Sequence, residues 1–373
     1  MKKTALLLAL TLMLSLGVSC SKNKDKSESE SSSATSTTTS ASDSSSISQS
    51  ESQSQSQADK VENTTRNPLT GQTDYNEDAI GKRPVAVMIN NLKGALPQYG
   101  IEQADILFEV LVEGGITRLM GVYADYTAVP DVCSVRSCRY YYPVIAMGFD
   151  AVYCHIGYEQ TFAKAKLNSL GIDTISDSSV IPYSTMFAVD SERAQSYSSE
   201  HTKYLVGANI PQALEDYGYR TDLGDEYKGD YFVFEDEFFS PEGAEASNVN
   251  LKFSASYYST FEYDESTKTY KKFHNGSEHI DGKSGNQLSY TNVIVLCTEV
   301  YPKPENTYLM EVEMVSSGTG YYISGGKAQE ITWEKTSEEA QIDFFGPDGN
   351  PLTVNVGKCY IGVIDNNATI TIE

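Results

Sequence analysis

Positive charge is scarce in this chain: 28 Lys and Arg stand against 51 Asp and Glu, leaving a net charge of −23. A surface of that sign repels nucleic acid and anionic lipid. No basic stripe interrupts it, so nucleic-acid partners are excluded. Histidine is scarcer still, with four residues, and Trp333 is the single tryptophan. His274 and His279 lack H-E-x-x-H spacing and no cysteine pair has C-x-x-C spacing, so no metal site is expected. There is no G-x-S-x-G nucleophile elbow. Gly282-Lys283-Ser284 is not a phosphate loop, because five residues separate Gly276 from Gly282 and the motif requires four. No cofactor is implied. Beyond Cys20 five cysteines remain, an odd number that argues against a complete disulfide framework. Cys133 and Cys138 are close enough in sequence to bridge, but also fit as small buried residues.

Long apolar runs are equally rare. The one candidate, Ala5–Val18, follows Lys2-Lys3 and precedes Ser19-Cys20. Charged, apolar and small-residue segments in that order form a secretory signal, and the run is short for a membrane span. Leu16-Gly17-Val18-Ser19-Cys20 resembles a bacterial lipobox, which implies a signal peptide over 1–19, cleavage before Cys20 and a lipid on its thiol. Two acyl chains give stable anchoring where one is marginal. Residues 20–60 are dominated by Ser, Thr and Gln and cannot bury a core, so a disordered tether is expected. A flexible chain of that length spans on the order of 35 Å. The expected location is the extracytoplasmic face of the bacterial cell membrane.

The remainder, Val61–Glu373, is long enough for two domains. Up to residue 230 apolar strand-like runs alternate with helix-like ones. Arg83–Asn90 reads as a buried strand. Ala104–Glu113 and Ile116–Tyr123 read as a hairpin across Gly114-Gly115, and Asp150–His155 as a further strand. Helices are expected from a Ser134 cap toward Met147, over Glu159–Leu170 and over Ile210–Tyr217. From 231 short aromatic and β-branched runs, among them Thr269–Phe273, Asn292–Leu296, Glu330–Trp333 and Tyr360–Ile364, alternate with Gly-containing turns. The expected class is α+β: a mixed α/β domain over 61–230, then a β-rich domain over 231–373.

Several motifs recur together. They are Asn67-Pro-Leu-Thr-Gly71, Arg83–Asn91 (RPVAVMINN), Pro97-Gln98-x-Gly100, Glu109-x-x-x-Glu113-Gly-Gly-Ile-Thr-Arg118 and Val135-Arg136-Ser137-x-Arg139. With Asn292–Val295, Ser317–Gly320 and Glu330-x-x-Trp333, the chain resembles the YerB-like bacterial lipoprotein family along nearly its whole length after the tether. The resemblance implies a two-domain extracytoplasmic protein of largely unknown biochemistry, linked to cell-wall synthesis through partner proteins. The chain departs from the family pattern at Cys133 and Cys138, where small residues are usual. It also departs after Arg193, where His201 can be matched to a Pro-His-Asn motif but its neighbours cannot.

The chemistry-bearing residues concentrate in the same motifs. On a strand Glu109, Leu111 and Glu113 share a face, and burying two carboxylates there requires partners. Arg118 across the turn is the natural partner of Glu113. Arg136 and Arg139, at i and i+3 in the first turn of the expected helix, call for an anion: Glu109, Asp105 or a ligand. Arg118, Arg136, Arg139 and Glu109 are therefore the candidate ligand-binding residues. Glu113, His155 and His201 are the candidates for acid–base work. Trp333 and the many tyrosines read as packing residues before they read as a glycan groove. Two functions are compatible with this pattern. One is a binding or adaptor lipoprotein that engages cell-envelope proteins or wall polymer. The alternative is an envelope hydrolase or transferase. Lacking an intact catalytic signature, the chain reads as the first.

Overall fold

A computed structural model describes residues 66–227 and 231–373. The expected signal peptide, Cys20, the expected tether and the expected domain boundary at 230 lie outside the described residues. Val61–Glu373 forms one compact unit, and no helix among the described residues is long and apolar enough to cross a membrane.

The Val85–Asn90 strand is buried at every position, as a β-branched run without alternation should be. It pairs antiparallel with Thr117–Tyr123 and parallel with Val152–His155, which continues in parallel to Thr174–Ser176. Thr117–Tyr123 forms the expected hairpin with Ile106–Leu111. Gly114 and Gly115 both take positive φ in its turn, at 74° and 69°, where glycine is the tolerated residue. The next strand in space comes from the end of the chain. Cys359–Asp365 lies parallel to Ile106–Leu111, and Asn292–Thr298 lies parallel beyond it. Ser317–Ser324 and Lys327–Glu334 follow antiparallel. The sheet counts 11 strands and runs through both halves of the sequence.

Both faces of this sheet are covered, which is what makes the central strands apolar throughout. Met88, Phe108, Met120 and Ile361 pack on one side with the helix Tyr141–Met147 and with Phe232 and Phe344. On the other side Val87, Leu107, Leu119 and Tyr360 meet Leu205, Ile210 and Leu214, and also Leu251, Phe261 and Tyr270. The last three belong to a second sheet, built on Asn248–Lys252, Tyr258–Asp264, Thr269–His274 and Thr369–Ile372. The first three of these strands alternate buried residues with more exposed ones, because one face meets the first sheet and the other meets water. Phe261 and Tyr360 touch across the layers, ring centres 4.6 Å apart. The described α-helices all lie before residue 217, so the chain is α+β: a mixed α/β domain followed by a β-rich one.

Some expectations need correction. Ser134 caps no helix. Residues 134–139 run extended, with Val135 bridged to Ile89 and Cys138 to Tyr158, and the helix starts at Tyr141. Tertiary pairing at the strand ends overrides local helix propensity here, and Pro143 lies near the start of the real helix, where it is tolerated. The Glu159–Leu170 helix starts only at Phe162. Glu159 stands outside it and accepts from the amides of Thr161, Phe162 and Ala163 at 2.7, 2.6 and 3.1 Å. Cys133 and Cys138 are free and buried, like the other three described cysteines.

Candidate functional site

The three glutamates that matter sit in three different environments. Glu109 lies mid-strand and its side chain is completely buried against the second sheet. Lys272 Nζ, equally buried, stands 3.1 Å from Glu109 Oε2. Ser259 and Tyr360 donate to the same oxygen at 2.8 and 2.9 Å, while Thr117 and Asn91 donate to Oε1 at 2.7 and 3.1 Å. Burial alone pushes the Glu109 carboxyl up. Lys272 and this ring of donors overcome it and hold it below the usual range. Burial also pulls Lys272 down. Among the described residues its ammonium meets two acceptors, Glu109 and Ser259 Oγ, the latter at 2.7 Å.

The network spreads into the motif residues. Gln98 donates to the Asn90 carbonyl and to Asn91 Oδ1 at 2.6 and 3.1 Å and accepts from His279 Nε2 at 3.0 Å. Asp281 of the β-rich domain accepts from the amides of Ile101 and Glu102 at 2.9 and 3.1 Å. The first domain's Asn90-Asn91 and Pro97–Gly100 segments are thus tied to the second domain by polar contacts. Asn67, from the first motif, accepts from Leu69 N at 2.8 Å and donates to Asp105 at 2.9 Å.

Glu113 does not share the Glu109 face. The strand ends at Leu111 and Glu113 enters the turn, so its carboxylate meets different partners. Arg139 Nε donates to Oε2 at 2.7 Å and Arg139 Nη2 to Oε1. Arg118 Nη2 stands 3.5 Å from Oε1, which is the pairing the sequence predicted. Burial pushes the Glu113 carboxyl up, but the two guanidiniums hold it below the usual range. Arg118, deeply buried beside Arg139, is pulled down to about 10. Leu309 and Met310, from the hairpin formed by Val300–Lys303 and Asn306–Val312, close over the pair and leave a cavity of about 10 Å³. That is room for one water at most.

Arg136 points elsewhere. Its backbone is held by Met88 O and by Ile156 N at 3.0 and 3.1 Å, so the Val135–Arg139 segment straps the carboxyl ends of two parallel strands. Open α/β sheets place ligand sites at such ends. The partner of Arg136 is Glu200, at 3.0 Å, rather than Glu109 or Asp105. His201, nearly buried, receives the Asn90 amide at Nδ1, 2.9 Å away. Arg193 binds the carbonyls of Pro97, Ala95 and His201 at 2.7, 2.8 and 3.2 Å, clamping the two loops together. His155 bonds the Gly157 carbonyl at 2.9 Å through Nδ1 and packs against Tyr153. Among the described residues no hydrogen bond or ion pair joins Glu113 to either histidine, and no group of residues is suited to hold a metal ion. Trp333 is core, donating to the Cys297 carbonyl at 3.0 Å.

Sequence reasoning missed Lys272, Ser259, Gln98 and His279. One signal was available: Tyr270, Lys272 and His274 share the buried parity of their strand, and a lysine at an inward position requires a buried carboxylate.

Two family descriptions match the chain: "Protein of unknown function (DUF3048) N-terminal domain" over residues 69–220 and "Protein of unknown function (DUF3048) C-terminal domain" over residues 249–361. YerB of Bacillus subtilis (strain 168), a protein named as a lipoprotein, is 26% identical over 316 residues, covering 82% of this chain and 89% of YerB. The crystal structure of YerB from Bacillus subtilis aligns with a TM-score of 0.67 at 24% identity, covering 82% of this chain and 99% of that one. With both domains matched in order and the same fold, the chain belongs to the YerB-like family, a two-domain family of unknown function.

Proposed function

We propose that this protein is a membrane-anchored lipoprotein on the extracytoplasmic face. It acts there as a binding or adaptor module of the cell envelope, linked to cell-wall synthesis, rather than as a hydrolase or transferase. The lipobox-like segment at Cys20 and the lipoprotein relative support the anchor. The observation that carries the binding reading is the state of Glu113. A general acid must hold its proton near the working pH, whereas two arginines keep this carboxylate ionised under an apolar roof. Glu109 is likewise committed to Lys272 and four neutral donors. Arg136 differs from both, because its partner Glu200 is half exposed and such pairs open at little cost.

The binding surface is therefore assigned to the Arg136 end of the parallel strands, with envelope proteins or wall polymer as partners. Crosslinking of the anchored protein in intact membranes, followed by its recovery, tests this. Arg136→Ala is expected to remove specific crosslinks while the protein accumulates at its normal level. Unchanged crosslinks would contradict the assignment.

A further inference from the structure

Glu200 lies in the short turn Ser199–His201; one of its oxygens is bound by Arg136 and the other faces His201. Oε2 is 3.0 Å from Arg136 Nη1 and Oε1 is 3.6 Å from His201 Nε2. The imidazole is set from behind. Asn90 Oδ1 accepts from Leu92 N at 3.0 Å, which turns the Asn90 amide nitrogen toward His201 Nδ1, 2.9 Å away. Nδ1 therefore accepts, and the imidazole proton sits on Nε2, facing Glu200. Burial keeps His201 below its ordinary pKa, so the ring is a neutral donor at neutral pH. Arg136 Nε is enclosed and has no hydrogen-bond partner. Gly94 offers no side chain where a Cβ would stand 3.5 Å from Nε2. Arg118 lies near enough to Arg136, and Arg193 near enough to His201, for each pair to interact electrostatically. This corner is locally positive on a protein of net charge −23.

Among the described residues, this guanidinium is paired and the preset imidazole N–H is faced by the same carboxylate, carried on a half-exposed side chain. We propose that Arg136 and His201 form a carboxylate-binding site, that Glu200 occupies it as a built-in competitor, and that the intended occupant is the terminal carboxylate of a peptide. Glu200 itself demonstrates the fit of a planar, singly charged group. A polyphosphate-like anion would enter against the overall negative field. The proposal rests on the binding-module reading and gives it a ligand class.

The test is a titration of the purified full-length protein, following the His201 imidazole resonance, identified by its loss in His201→Asn. The probes are a short peptide with a free C-terminus, the same peptide as its C-terminal amide, and inorganic phosphate. The free acid is expected to shift the resonance and to bind about fivefold tighter in Glu200→Gln, because an exposed ion pair contributes up to about 1 kcal/mol. The amide should give no shift, and Arg136→Gln should abolish the response. No shift with the free acid in Glu200→Gln, an equal response to the amide, or tighter binding of phosphate would overturn the assignment. If Arg136→Ala loses its envelope crosslinks while Glu200→Gln takes no peptide, the binding reading stands and the carboxylate assignment falls.

Discussion

Histidines illustrate at the residue scale how burial decides chemistry. Burial lowers both His155 and His274 to about 4. Their folded-state pKa lies below the ordinary 6.5, so the stability they contribute by staying neutral is complete above that value and is lost as pH falls toward 4. Each accounts for on the order of 3 kcal/mol across that window. Thermal unfolding followed from about pH 7 to about pH 4.5 should show a falling melting temperature, and His155→Phe should flatten part of the slope. A curve insensitive to that substitution would mean His155 is not held neutral. Glu113 gives a second residue-scale prediction. Replacing it with Gln leaves Arg118 and Arg139 facing each other without a counter-charge, which should destabilise the fold by about 3 kcal/mol in chemical denaturation.

Among the elements, the strands were the most legible in the sequence, because their apolar runs are buried on both faces and bounded by turn residues. The hairpin across Gly114-Gly115 and the strands of residues 292–298 and 359–365 follow this logic. The Ser134 helix failed for a physical reason: the segment's hydrogen bonds go to Met88, Lys203, Ile156 and Gly157, partners distant in sequence that no local pattern can announce. The same is true of Arg136 and Glu200. The Glu113–Arg118 pair was legible because only four residues and one turn separate its members. Gly100 belongs to this scale as well. It has φ of 77° and a Cβ there would stand 2.2 Å from the Asp131 carbonyl oxygen. Gly100→Ala should cost at least about 2 kcal/mol, measurable as an earlier urea midpoint, whereas Gly114→Ala meets no neighbouring atom and bears only the strain of its positive φ.

For the whole molecule, chain length indicated two domains but could not reveal that they share one sheet. The Cys359–Asp365 strand lies between Ile106–Leu111 and Asn292–Thr298, so each half carries an open, apolar sheet edge without the other. Residues 61–230 and 231–373 produced separately should show no cooperative unfolding, and mixing them should restore a transition. Independent cooperative folding of either half would contradict this. Glu109 and Lys272 are the polar counterpart of that shared sheet, a carboxylate from the first domain and an ammonium from the second, both fully buried.

That pair braces the fold rather than serving a ligand. The direct measurement is the unfolding free energy of the full chain carrying Glu109→Gln, Lys272→Met, or both. As a brace, each single substitution leaves a buried charge unpaired and should cost about 3–5 kcal/mol, while the double substitution should recover more than half of that loss. Single variants as stable as the parent chain would mean that the pair does not brace the fold.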